Sequence, residues 1–183
     1  MKQNIFIGII IFLSVVAQAS FLPNFFSSGV IPDIVLIIII ILTAKSDFNS
    51  VLIGVIFAGL MMDWLSFYPV GVNVLSFVVM VFVINSLSKR FLVSRSARGF
   101  FVTMVAIVIG TLINYIIIFL LVKIFIHLKE LSENGLGDPR LFFNKNLFLK
   151  PLYNMIMFII IYWPLERLIK IFAYQDKRIM IKR

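Results

Sequence analysis

The side chains equipped for chemistry are few. Asp33 and Asp63 stand in or beside apolar stretches, amides stand at Gln18, Asn73, Asn114 and Asn154, and His127 is the single histidine. A metal site built on imidazoles needs more than one. The chain has no cysteine, which excludes disulfides, thiolate metal sites and cysteine nucleophiles. It contains no phosphate-binding glycine loop, no HExxH and no nucleophile elbow. Its acidic residues are too scattered for a paired-carboxylate site, and no apolar stretch carries the charged ladder of a voltage sensor or proton relay. These residue types point away from catalysis and from cofactors. They leave polar groups that are either wet at the edge of a membrane or bonded between helices inside it.

Helices must position those groups, because the composition allows little else. Of 183 residues 62% are hydrophobic and 14% charged, with a mean hydropathy of +1.10. A soluble domain carries about 25% charged residues, so this chain cannot cover itself with a water-facing surface. It reads as an all-α membrane protein. A helix needs roughly 20 apolar residues to cross about 30 Å of hydrocarbon. Six stretches approach that length, at about 4–22, 30–44, 49–64, 70–88, 100–126 and 151–167, in one domain that ends in a basic tail at 174–183. The second and third are short with polar ends, which predicts packing against neighbours rather than lipid. Gly54 and Ala58, with Gly59 adjacent, form a small-residue pattern that lets two helix backbones approach. Trp64 and Tyr68, and at the other end Tyr162 and Trp163, read as interfacial belts. Pro164 is expected to kink or end the last helix.

Charge then tests the count. Seventeen Lys and Arg face eight Asp and Glu, a formal net charge of +9. With both termini in the cytosol, the inner segments hold Lys2, Lys45, Lys89, Arg90, Arg95, Arg98 and the basic tail, while the first two outer connections hold no Lys or Arg. Six spans thus satisfy the positive-inside rule. The basic excess is accounted for by topology and attraction to anionic inner-leaflet lipid, with no nucleic-acid partner. The third outer connection, at 128–150, mixes signs and is broken by Gly135, Gly137 and Pro139. It is either a short headgroup-level segment or a loop folded over the helix ends. Lys2, the apolar run from Ile5 to Val16, and Ala17-Gln18-Ala19 also match a secretory signal with its cleavage site. A single Lys is a thin basic region for such a signal, which favours an uncleaved first helix.

Counting about 1.5 Å per residue from the inner end of each stretch, Gln18 and Asp63 lie about 21 Å up, Asn73 and Asn114 about 24 Å, and Asn154 about 20 Å. Five helices thus carry a polar side chain at one level in the outer third of the bilayer, with Asp63 the only charge in that layer. The residues are either wet at headgroup level or bonded to one another across helices, and they could line a cavity. Asp63 ends its helix, where the macrodipole disfavours an anion. It needs donors, and Asn73 and the backbone amides after Gly71 are nearest in sequence.

Ile31-Pro32-Asp33-Ile34-Val35-Leu36, then Gly54, Gly59-Leu60-Met61-Met62-Asp63 and Pro69-Val70-Gly71-Val72-Asn73, resemble the rod shape-determining protein MreD family. That family has Pro-Asp at the start of its second helix, glycines leading to an aspartate, and a glycine step into the next helix. Tyr162-Trp163-Pro164-Leu165 resembles its terminal Trp-Pro-Leu. The match is specific over about 31–87 and compositional elsewhere. Carried over, the family motif falls on Pro32, Asp33, Gly59, Asp63, Gly71 and Pro164. Pro32 would preset the helix start and Asp33 would sit at its positive dipole end. The resemblance implies a non-enzymatic, multi-pass protein of the bacterial inner membrane. Such a protein belongs to the cell-elongation machinery that positions peptidoglycan synthesis and maintains cell shape. It would bind the scaffold MreC and, through it, the actin-like MreB, the glycosyltransferase RodA and its partner transpeptidase. The implied fold is similar to the substrate-binding subunits of energy-coupling-factor vitamin transporters. The alternative is therefore a solute-binding transport subunit, and a third reading is a lipid-handling protein. A pocket subunit should hold a closed cavity with convergent polar groups. A scaffold should offer an apolar groove at lipid level.

Overall fold

The computed structural model describes residues 2–26, 30–46, 48–66, 69–91, 97–130 and 146–181. All their regular elements are helical. A first rod runs through α1 (Lys2–Val16), a π-helical turn (Ala17–Phe21) and α2 (Leu22–Phe25). It is followed by α3 (Ile34–Lys45), α4 (Phe48–Leu65), α5 (Val72–Phe91), α6 (Ala97–Glu130) and α7 (Asn146–Ile181). Among the described residues, four stretches are long and apolar enough to cross a membrane: Asn4–Phe25, Phe48–Leu65, Gly99–Ile124 and Leu149–Ile171. Ile34–Lys45 and Val72–Leu87 are shorter apolar helices. The break at 131–145, with Gly135, Gly137 and Pro139, and Tyr68 both lie outside the described residues.

The architecture is organised around α3. Its run of isoleucines is apolar on every side, the pattern of a helix enclosed by protein, and the residues from Ile34 to Thr43 are all buried. It packs against α1, α4, α5, α6 and α7. At 12 residues it is about 18 Å long, well short of the roughly 30 Å core. A length that would be a poor span suits an internal post. The same expectation does not hold for α4, which buries Val51, Val55, Ala58 and Asp63 on one face but exposes Ile53, Phe57, Leu60 and Trp64 on the other. Apolar residues on both faces let α4 touch core and lipid together.

Element boundaries follow local chemistry. α3 begins at Ile34 rather than near Val30, because Asp33 takes the N-cap position and its side chain accepts the Leu36 amide at 3.0 Å. Pro32 therefore lies just outside the helix, where it disfavours helical geometry at Ile31, and does not occupy the first turn. The first rod, expected over about 4–22, continues past Pro23 to Phe25. The wide turn ends with the Leu22 amide donating to the Ala17 carbonyl, so Pro23 falls in the first turn of a restarted α-helix and its missing amide costs nothing there. α5 begins at Val72 because Gly71 turns the chain at φ +103°, a conformation costly for any residue with a Cβ. Pro164 lies inside α7 and does not end it. Its neighbours Tyr162 and Leu165 are buried in the core and hold the helix on course. α7 continues into the basic tail expected at 174–183, as far as Ile181.

Close approach is set at two glycines of α4. A Cβ on Gly59 would lie 2.5 Å from the Val74 Cα and 2.8 Å from its amide nitrogen, backbone atoms of α5. A Cβ on Gly54 would meet the flexible tip of Ile11 in α1 at 2.6 Å. Gly59→Ala is therefore expected to separate α4 from α5 and cost about 1–3 kcal/mol. Gly54→Ala should cost clearly less, and thermal unfolding of both variants in detergent reads the difference. α1 also belongs to the core, with Ile7, Ile11 and Val15 fully buried. The intact mass of membrane-extracted protein is expected to include α1; a mass beginning at Ser20 would mean that the core assembles without it.

Candidate functional site

A helix end leaves its first amides without intrahelical partners, and inside an apolar assembly no water supplies the missing acceptors. The buried N-terminus of α3 solves this with its own cap and with side chains from two neighbouring elements. Asp33 caps the Leu36 amide from within the chain. The Asn154 side-chain oxygen of α7 accepts the Asp33 amide at 2.6 Å, and Gln18, in the π-helical turn, accepts the Val35 amide at 2.9 Å. The Asn154 side-chain NH2 in turn donates to Thr111 Oγ1 of α6 at 2.9 Å. The second carboxylate oxygen of Asp33 faces Lys150 Nζ at 3.7 Å. Three of the sequence-selected residues, Gln18, Asp33 and Asn154, thus meet at one end of α3.

Asp63 builds a second junction. It is 2% exposed, and its two carboxylate oxygens accept the Gly71 amide at 2.7 Å, the Asn73 amide at 2.8 Å and the Asn73 side-chain NH2 at 2.9 Å. The Asn73 NH2 also reaches Ser66 Oγ at 3.3 Å. Gly71 precedes α5 and has no side chain with which to cap it. Asp63 supplies the cap from the end of the previous helix. Its charge, misplaced for the dipole of α4, is well placed for that of α5. A third junction joins α5 to α6, where the Ser76 hydroxyl donates to the Asn114 side-chain oxygen. All five members of the outer polar layer are therefore bonded, in three sets that tie helix ends and helix pairs together.

At the opposite end of α3, Lys45 Nζ pairs with Glu166 at 3.0 Å and donates to the Tyr162 hydroxyl at 3.0 Å. Lys170, one turn along α7, also pairs with Glu166, at 3.2 Å. Tyr162 is not a belt residue. It is buried and packs its ring edge-on against Phe100 and Phe158. Trp163, beside it, is exposed. Sequence reasoning missed this junction, together with Thr111, Ser76 and Lys150. The hydroxyls had a signal: Ser76 is one turn beyond Asn73, and Thr111 one turn before Asn114, on otherwise apolar helices.

Among the described residues no buried side-chain nitrogen or oxygen lacks a partner, and no cluster of His, Asp and Glu could hold a metal. An open groove of about 460 Å³ runs between α1 and α4, with Gly8 and Gly54 among its lining and Ile5, Ile9, Ile53 and Phe57 along it. Asn4 and Ser50 close one end, Ser50 Oγ donating to the Asn4 side-chain oxygen at 2.7 Å. Comparison with known proteins finds no matching family model, curated protein or solved structure. What the site can do chemically must be read from its own bonds, and those bonds are acceptors spent on helix amides.

Replacing Asp63 tests this directly. Asp63→Leu strands two backbone amides and the Asn73 side chain, and is expected to cost about 2–5 kcal/mol. Asp63→Asn keeps one acceptor oxygen and should lose less than half of that, as read by denaturant unfolding in detergent. Gln18→Ala leaves the Val35 amide unpaired, with an expected loss of about 1–3 kcal/mol.

Proposed function

We propose that this chain is a non-catalytic scaffold of the bacterial inner membrane, crossing it six times with both termini in the cytosol and binding another membrane protein through a helix face. Its closest functional model is the MreD family that its motifs resemble. The partner is then MreC, which links it to MreB, RodA and the partner transpeptidase in the cell-elongation machinery.

The observation that supports this reading is the use made of the motif residues. Asp33, Gly59, Asp63 and Gly71 cap helices or let helices touch, so the motif describes how a particular helical surface is held in shape. The solute-binding alternative needs polar groups free to take a ligand, whereas Gln18, Asp63, Asn73, Asn114 and Asn154 are engaged with protein partners. A groove of apolar side chains over small residues is the form of surface that receives a transmembrane helix.

A photo-crosslinking residue placed at Ile53 or Phe57, in intact membranes of the source cell, should yield an adduct with MreC, and depletion should give rounded cells that added vitamins do not rescue. Vitamin rescue, or bound solute recovered with the purified protein, would replace the scaffold with the transport reading.

A further inference from the structure

We infer that the groove between α1 and α4 is shaped for a partner helix that carries a neutral hydrogen-bond acceptor about one turn from a bulky apolar side chain. This rests on the scaffold reading and adds what the partner must present. Gly8, which lines the groove, lies in ordinary helical backbone, Gly71 being the described glycine with positive φ. No turn requires it. Nor does internal packing: a Cβ on Gly8 would meet no atom within 4 Å, whereas one on Gly54, Gly59 or Gly110 would lie within 2.8 Å of Ile11, Val74 or Met80. A glycine inside a helix weakens it relative to alanine, and here the chain itself makes no contact in return. The open space over Gly8 admits a side chain from outside. Ile5, Ile9, Phe12, Ile53 and Phe57 flank it, and all five are exposed.

Asn4 fixes the polar end. Ser50 donates to its side-chain oxygen, which turns the Asn4 NH2 the other way and leaves that donor without a protein partner among the described residues. Water can serve it while the groove is open. A helix laid over the groove excludes the water, and an all-apolar helix would strand the donor. A carbonyl or hydroxyl oxygen on the partner's side chain keeps it bonded. None of the lining residues is charged, so complementarity calls for a neutral acceptor, and a phosphate or carboxylate would find no counter-charge there. An acyl chain covers any apolar surface and gains nothing from a bare backbone. The approach of a second helix, by contrast, is set by the side chains between the two axes. From Asn4 to Phe12 the groove follows α1 for about 12 Å, or about two helical turns. The partner's acceptor therefore faces Asn4, its bulky side chain sits over Gly8 about one turn along, and its next contact falls beside Phe12 and Phe57.

The test is photo-crosslinking from Phe57 of the full-length chain in intact membranes, with Val79, exposed on α5, as the comparison position. Gly8→Leu fills the open space without touching the core. It is expected to lower the yield of MreC adduct from Phe57 by about tenfold or more, while thermal unfolding in detergent stays unchanged or rises. Asn4→Leu should lower the yield roughly three- to tenfold, the range of one interhelical hydrogen bond. Replacing by Leu the neutral polar residue of the captured helix that lies nearest Asn4 should have the same effect, and the two replacements together should add little more. An adduct yield that survives Gly8→Leu overturns the proposal. So does a Phe57 adduct to phospholipid or to a second copy of this chain in place of the partner helix, or a captured helix with no neutral polar residue beside Asn4. MreC adducts from Val79 but not from Phe57, together with rounded cells on depletion, would overturn this inference and leave the scaffold reading standing. No MreC adduct from either position, with cells that keep their shape, would overturn both.

Discussion

The amide groups at the start of α3 have to be bonded where water is absent, and that requirement organises the molecule. A helix of about 18 Å cannot bring both ends to the headgroups of a bilayer about 30 Å thick. Its open end must instead be closed by side chains from other helices. Gln18 from the first rod and Asn154 from α7 reach it, while Asp33 turns back from its own chain. Each of these bonds replaces one that lipid cannot offer. The polar residues are thus a condition for burying α3, and burying α3 lets five other elements share one apolar post.

The carboxylates act alike despite standing on different helices. Asp33 caps its own helix; Asp63 caps the next one, across a turn that Gly71 makes possible. In both, a charge that would be expensive in an apolar interior is offset by amides at a positive helix end. For Asp33, Lys150 adds an ion pair. The aspartates therefore read as joints between elements, Asp33 directly after Pro32 and Asp63 bonded to the Gly71 amide at the next turn.

Much of this was legible in the sequence. Composition gave the helical membrane class, and the short second stretch with its polar ends gave an α3 packed against neighbours. The polar layer was visible because four amides and a carboxylate at similar depth on five helices are costly to leave alone. What escaped was whatever depends on a partner far along the chain. Nothing near Lys45 indicates that Glu166 and Tyr162 will meet it, and nothing near Pro23 indicates that a wide turn resets the helical register just ahead of it. Proline rules were read locally and misplaced boundaries at Pro23, Pro32 and Pro164. In each case the structure around the ring, rather than the ring, decided where the helix ran.

The partners of α3 also fix an order of events during synthesis. The turn closed by Asp63 and Asn73 is complete as soon as α5 has emerged from the ribosome. α3 must wait. Asn154 and Glu166, which close its two ends, belong to α7, made after α4, α5 and α6. Until α7 arrives, the highly apolar α3 carries an unfinished polar end, so the insertion machinery must shelter it across the synthesis of three intervening helices.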